Sequence, residues 1–261
     1  VGVFADHQPS VVEVETTTYC NRRCTYCPNS IFDRGMRANE TRMDVALWEQ
    51  ICDDLGRNDF VGQFSPLRYG EPLADERLPD LLAYARQAMP RARIAVYSNG
   101  DFLTPHLWER MEPSIDQMVI TQHGDTMPAG LRALLPHPLI RYRIRAVIEA
   151  RASNRAGTLT HIPAVLRRSC GVVMTEMHVD AHGDLMLCCE DYLGTRTFGT
   201  IRGRTLDEIW SDPDRLAVHR DNIAGRLALP ACKGCGYLGR IHAEAVAGDT
   251  EPGTRTGKAG R

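Results

Sequence analysis

Eight of the nine cysteines fall into two groups far apart in the chain, and no other feature limits this sequence so strongly. Cys20, Cys24 and Cys27 form the first group and Cys170, Cys188, Cys189, Cys232 and Cys235 the second, with Cys52 between them. No apolar run is long enough to span a membrane, and the start lacks a basic segment followed by an apolar core. The expected setting is the reducing cytoplasm, where clustered thiols hold metal instead of forming disulfides. Two groups predict two metal sites. A net charge of −2 and a pI near 6.5 give no polyelectrolyte character, which argues against a nucleic acid partner.

Between the groups, strand and helix patterns alternate. Val11 to Thr16 reads as a strand, and apolar residues at Val45, Leu47, Ile51 and Leu55 predict a helix over Met43 to Leu55. A strand follows near Val61 to Leu67 and a helix near Leu78 to Ala88. Then come a strand at Ile94 to Tyr97, a helix at Pro105 to Met111 and a strand at Gln117 to Thr121. Parallel strands need crossover connections, so this rhythm predicts an α/β chain with helices outside a parallel sheet. The strand ends, where such folds carry function, read Thr16-Thr17-Thr18, Tyr69-Gly70-Glu71-Pro72, Ser98-Asn99-Gly100 and Gln122-His123.

After about residue 150 the rhythm changes. Met174 to Asp180 and Asp184 to Cys189 flank Ala181-His182-Gly183 as a β-hairpin, with His178 and His182 expected at the surface. One helix is expected from Leu206 to about Ile223. The division expected is a core over 1–150, a small α+β unit over 151–240 and a disordered tail over 241–261. Cys52, within an amphipathic helix pattern, reads as a packing residue.

Cys20, Cys24 and Cys27 sit on one loop directly after the first strand, at CxxxCxxC spacing. Three thiolates there can ligate three irons of a cubane and leave the fourth open to a small molecule. The competing reading is a zinc knuckle, but structural zinc wants four closed ligands and no fourth Cys or His lies nearby.

These residues resemble the signature of the radical S-adenosylmethionine (SAM) superfamily, with the aromatic Tyr26 before the third cysteine. The resemblance implies a partial (βα) parallel barrel whose open iron binds SAM and whose cleavage yields a 5′-deoxyadenosyl radical. It also implies an electron donor such as flavodoxin or ferredoxin. Tyr69-Gly70-Glu71-Pro72 is similar to the family's GGEP motif, and Ser98, Asn99 and Gln122 fall on its later strand ends. Tyr26, Gly70, Glu71, Pro72, Ser98, Asn99 and Gln122 are thus expected to contact SAM.

Cys170, Cys188, Cys232 and Cys235 supply four more thiols, enough to close a second [4Fe–4S] cluster, although a distant pair plus CxxC also suits zinc. The arrangement resembles the twitch domain, a short form of the SPASM extension. Nearly the whole chain is similar to twitch enzymes of aminoglycoside biosynthesis, which abstract hydrogen from a carbinol carbon of an aminoglycoside or aminocyclitol. That likeness implies a substrate contact at Arg155, whose guanidinium stays protonated and would orient a hydroxyl. Read without it, Arg155 is a surface arginine on a loop.

One departure bears on the reaction. Where dehydrogenases of this kind carry a phenylalanine beside the cluster ligand, this chain has Cys189. Successive strand residues face opposite ways, so Cys189 is expected in the cavity, where its thiol could return a hydrogen atom and invert the carbon. Epimerisation is the first expectation and ketone formation, with the auxiliary cluster accepting an electron, the second. A buried packing cysteine is the plain alternative for Cys189. A zinc-binding interaction protein and a peptide-modifying enzyme remain as other classes. Only Val1 to Pro9 precede the first strand, so no leader-binding domain is expected.

Overall fold

The computed structural model describes residues 7–149, 152–164 and 169–237. The expected tail over 241–261 lies outside these residues. In chain order the regular elements are β1 (Val11–Val14), α1 (Val45–Arg57), β2 (Gln63–Ser65), α2 (Leu78–Ala88), β3 (Arg93–Ser98), α3 (Pro105–Met111) and β4 (Gln117–Gln122). They continue as α4 (Ala129–Arg132), β5 (Ile140–Ile144), α5 (Arg145–Glu149), α6 (Val172–Thr175), β6 (Glu176–Val179), β7 (Asp184–Met186) and β8 (Thr197–Thr200). The last are α7 (Leu206–Trp210), α8 (Pro213–Ile223) and α9 (Pro230–Lys233).

The strands form one sheet in the order β5-β4-β3-β2-β1-β6-β7-β8. Its first six members are parallel, and β7 and β8 add antiparallel at the end. The strands after residue 170 thus extend the core sheet, with β6 hydrogen-bonded to β1.

Strands β1 to β4 and β6 have an apolar outer face. Val12, Val14, Phe64, Ile94, Val96, Met118, Ile120, Met177 and Val179 join Leu47, Ile51, Leu55, Leu78 and Leu82 of α1 and α2 in one core. Cys52 is fully buried there, as a packing residue should be. The inner face is polar: Glu13 and Glu15 alternate with the core valines of β1, and Glu176 and His178 with Met177 and Val179 of β6.

Three expectations need correcting. The expected helix from Leu206 to Ile223 is two helices, because Asp212 caps a new start by accepting the Asp214 N–H and Pro213 occupies its first position. Strands β5 and β8 have no counterpart in the sequence reading. His178 is not at the surface: it is 1% exposed, between two carboxylates on the inner face, whereas His182 is exposed.

Candidate active site

The loop after β1 carries Cys20, Cys24 and Cys27. Each thiol is raised first by burial, Cys20 to about 12, and the charges of Cys24 and Cys27 push Cys20 up further. Three thiols that disfavour one another's ionisation in a half-buried loop are a set that a cationic iron centre would stabilise as thiolates. Tyr26 lines the adjacent open cleft with Arg22, Cys24, His123 and Arg145, and its hydroxyl lies 2.6 Å from His123 Nδ1.

Glu71 is the hub of the strand-end residues. Its carboxylate accepts from the Ser98 hydroxyl at 2.6 Å, the Asn99 N–H at 2.9 Å and the Leu73 N–H at 3.0 Å. Burial pushes its carboxyl up to about 7, against these three donors. Asn99 in turn donates to Asn21 Oδ1 at 2.8 Å, which ties the end of β3 to the cysteine loop. Gly70 is required by packing, since a Cβ there would lie 1.8 Å from the Thr17 carbonyl oxygen. Pro72 opens a short turn directly after Glu71. The Gln122 amide is engaged within the chain, accepting from the Tyr142 hydroxyl and donating to Gly124 O at 2.9 Å.

Cys170, Cys188, Cys232 and Cys235 line a single cavity, closed on its apolar side by Val172 and Leu187. Burial raises Cys188 and Cys232, and the charges of Cys235 and Cys170 add to the respective shifts. Four sulfur donors around one enclosed space fit a closed cluster.

Arg155 lies between the two cysteine groups. It occupies a turn in which Arg155, Ala156 and Gly157 all have positive φ, at 49°, 52° and 85°. Two non-glycine residues in this region cost about 1–2 kcal/mol each, so the turn needs external support. Asn154 supplies it, donating to Gly234 O at 2.6 Å and accepting from Gly236 N at 2.8 Å, on the two sides of Cys235. The guanidinium donates to Glu190 Oε1 at 2.9 Å, and Ser153 donates to the other oxygen. Its Nε is buried with no hydrogen-bond partner among the described residues. Its charge lowers Cys27 on one side, and Cys189 is near enough on the other to favour the cation. The sequence-predicted Arg155 and Cys189 are therefore brought together, with Tyr69 beside them.

Cys189 does not line the four-cysteine cavity, but strand alternation is not the reason: the strand expected through Cys189 ends at Met186, and Cys189 lies in the turn that follows. Its thiol sits with Glu176 and His178, one ligand atom of each lying within 4.8 Å of the others. Burial first, then the charges of Glu190, Glu176, Cys188 and Glu13, hold it far above the usual thiol range, so it stays S–H. The sequence reading missed Glu13, Glu176, His178 and Glu190. A glutamate in the middle of the valine-rich β1 is the signal that could have found the first.

The profile of the radical SAM superfamily matches residues 14–167, and that of an iron–sulfur cluster-binding domain (SPASM) matches residues 170–236. The S-adenosyl-L-methionine-dependent 2-deoxy-scyllo-inosamine dehydrogenase of Niallia circulans is 29% identical over 248 residues, 87% of this chain and 92% of that protein. The crystal structure of BtrN in complex with AdoMet and 2-DOIA superposes with a TM-score of 0.79 at 30% identity, over 88% of this chain and 94% of that one. Streptococcus suis SuiB bound to precursor peptide SuiA shares the fold alone, with a TM-score of 0.51 at 13% identity, over 87% of this chain and 71% of that one.

Proposed function

The chain belongs to the radical SAM superfamily, and from that premise we propose that it removes a hydrogen atom from a carbinol carbon of an aminocyclitol or aminoglycoside. SAM and two iron–sulfur clusters are its cofactors. When bound, SAM and the first cluster supply a 5′-deoxyadenosyl radical, and the second supplies a one-electron acceptor or donor. Cys20, Cys24 and Cys27 would hold the first as [4Fe–4S], and Cys170, Cys188, Cys232 and Cys235 the second. Glu71, with Ser98 and Asn99 bound to it, would receive the amino group of SAM. Tyr26, Gly70, Pro72 and Gln122 would shape the rest of that cleft.

The observation that carries the reading is Arg155. A guanidinium whose Nε has no hydrogen-bond partner among the described residues, fixed by Glu190 between Cys27 and Cys189, suits a substrate hydroxyl. It would orient the reacting carbinol and stabilise developing negative charge on its oxygen, without acting as a base.

The substrate radical can end in two ways. Loss of a proton and a second electron gives a ketone, and the comparisons support this ending better, because the matched relative is named a dehydrogenase. A specific observation favours the other ending: Tyr69 bonds the Cys189 carbonyl and lies under Arg155, which brings to this place a thiol able to return a hydrogen atom and invert the carbon. Reaction of the reconstituted enzyme with candidate aminocyclitols in D₂O separates them by mass. A ketone without deuterium uptake supports oxidation, and an inverted alcohol with one deuterium supports return from a solvent-exchanged thiol. SAM cleavage with no change in any aminocyclitol or aminoglycoside would overturn the substrate class.

A further inference from the structure

The cavity of the second cysteine group is walled mainly by apolar side chains, Val172, Val173, Leu187 and Leu227, and the amide of Asn222 stands among them. Asn222 is buried in the last turn of α8. Asparagine is a weak helix former, and a buried amide costs stability unless it is hydrogen-bonded. Its partners here are two of the four cysteines. The backbone carbonyl accepts the Cys170 N–H at 3.1 Å, and the side-chain Nδ2 donates to Cys232 Sγ at 3.8 Å. The Tyr237 N–H donates to Cys235 Sγ at 3.4 Å. That second donor belongs to the backbone and would survive most substitutions at residue 237. The Asn222 donor exists only because of its side chain.

We infer that Asn222 sets the reduction potential of the second iron–sulfur cluster, holding it above the value that the four thiolates alone would give. This rests on the assignment of that cluster to Cys170, Cys188, Cys232 and Cys235, and not on which way the substrate radical ends. Reduction adds one electron to the core, from [4Fe–4S]²⁺ to [4Fe–4S]⁺, with no proton taken up and no bond made or broken. The added negative charge is shared with the ligating sulfurs. An N–H aimed at one of them is therefore a stronger hydrogen bond in the reduced state than in the oxidised one. An apolar wall screens that difference little. Asn222 thus favours electron uptake, the direction that ketone formation requires of this site. It acts through Cys232 and is a positioning residue, with no contact to substrate.

The test reads the second cluster alone, in the full chain carrying Cys20→Ala, Cys24→Ala and Cys27→Ala. This parent is reconstituted anaerobically and titrated electrochemically, with the reduced cluster followed by electron paramagnetic resonance. Asn222→Leu keeps the side-chain bulk and removes the donor. At the potential where the parent is half reduced, the reduced-to-oxidised ratio should fall about tenfold in Asn222→Leu, the scale of one hydrogen bond to a charged group. An unchanged or raised midpoint, with about four iron bound in both proteins, would overturn the inference. A role in structure alone would lower the unfolding midpoint in urea and leave the potential where it was. If Asn222→Leu does not retain the cluster, Asn222→Ala should show the same shift. No shift there, or loss of the cluster from both variants, overturns the inference. A parent that binds no [4Fe–4S] cluster at all would instead sink the assignment of the second cluster, and the role of Asn222 with it.

Discussion

The Tyr69 hydroxyl donates to the carbonyl oxygen of Cys189 across 2.7 Å, joining the loop after β2 to the peptide beside the second cysteine group. The same ring stands edge-on to Tyr192, 4.7 Å between centroids, and lies under the Arg155 guanidinium. Tyr69 therefore sets the spacing between the SAM-side loop and the Cys189 backbone. Tyr69→Phe should cost about 1–2 kcal/mol, the loss of one buried hydrogen bond, read as a lower midpoint in urea unfolding. It should also raise the fraction of SAM cleaved without product.

Two sets of sulfur donors, one of three and one of four, predict metal content. After anaerobic reconstitution the chain should hold about eight iron and eight sulfide, as two cubanes require. Removing Cys232 and Cys235 together should bring iron to about four while leaving some SAM cleavage, and Cys20→Ala should abolish cleavage. Iron near four in the unmodified chain, unchanged by the double substitution, would eliminate the second cluster.

Arg155 is held by Glu190 and by a turn that its neighbours keep in place, so its guanidinium should not be replaceable. Arg155→Ala should lose most product while still cleaving SAM slowly. Arg155→Lys should also be impaired, because a point charge cannot donate to Glu190 and a substrate hydroxyl in the guanidinium geometry. Wild-type turnover in the alanine variant would leave this residue a structural one.

The thiol at Cys189 should decide how the radical ends. If it returns hydrogen, Cys189→Ala leaves the radical beside its hydroxyl and an electron acceptor, and ketone should replace the inverted alcohol. If the unmodified enzyme already makes ketone, with the same yield in Cys189→Ala, the thiol takes no part.

Glu71 gives a pH test. Its folded pKa is raised from 4.5 to about 7 by burial, so its contribution to stability is complete below about 4.5 and is lost as pH rises through about 7. Integrated over that window the loss is about 3 kcal/mol. Glu71→Gln cannot ionise and should show a flatter unfolding free energy between pH 5 and 8, roughly the window the shift spans. Equal slopes in the two proteins would mean that Glu71 ionises in the folded chain as readily as in water.

Much of the fold was legible because the outer faces of β1 to β4 and the helices α1 to α3 carry apolar residues at the expected periods. The Cys20 to Cys27 loop was legible from spacing alone. The inner face was not. A hidden polar interior and a solvated surface leave the same alternation in sequence, so His178 was expected at the surface and Glu13 drew no reading, although both are buried. β5, Ile-Arg-Tyr-Arg-Ile, is short and charged and lies at the sheet edge, and β8 carries Gly199 at φ 102°, so neither has a strong strand signal. The helix expected through residues 211 and 212 failed on Pro213, whose cap is readable in Asp212 once the break is considered.

The pairing of β1 with β6 has a consequence for how the chain is made. The first strand waits for a partner more than half the chain away: the Ser10 hydroxyl donates to Thr175 O across a separation of 165 residues. During synthesis, β1 and β2 can join β3 to β5 early, but the free edge of β1 stays open until β6 has left the ribosome. An open parallel edge with an apolar outer face is a template for pairing with other chains. The nascent protein is thus most vulnerable to aggregation in the interval between the first cysteine group and the second, and fragments ending before β6 should collect in inclusion bodies.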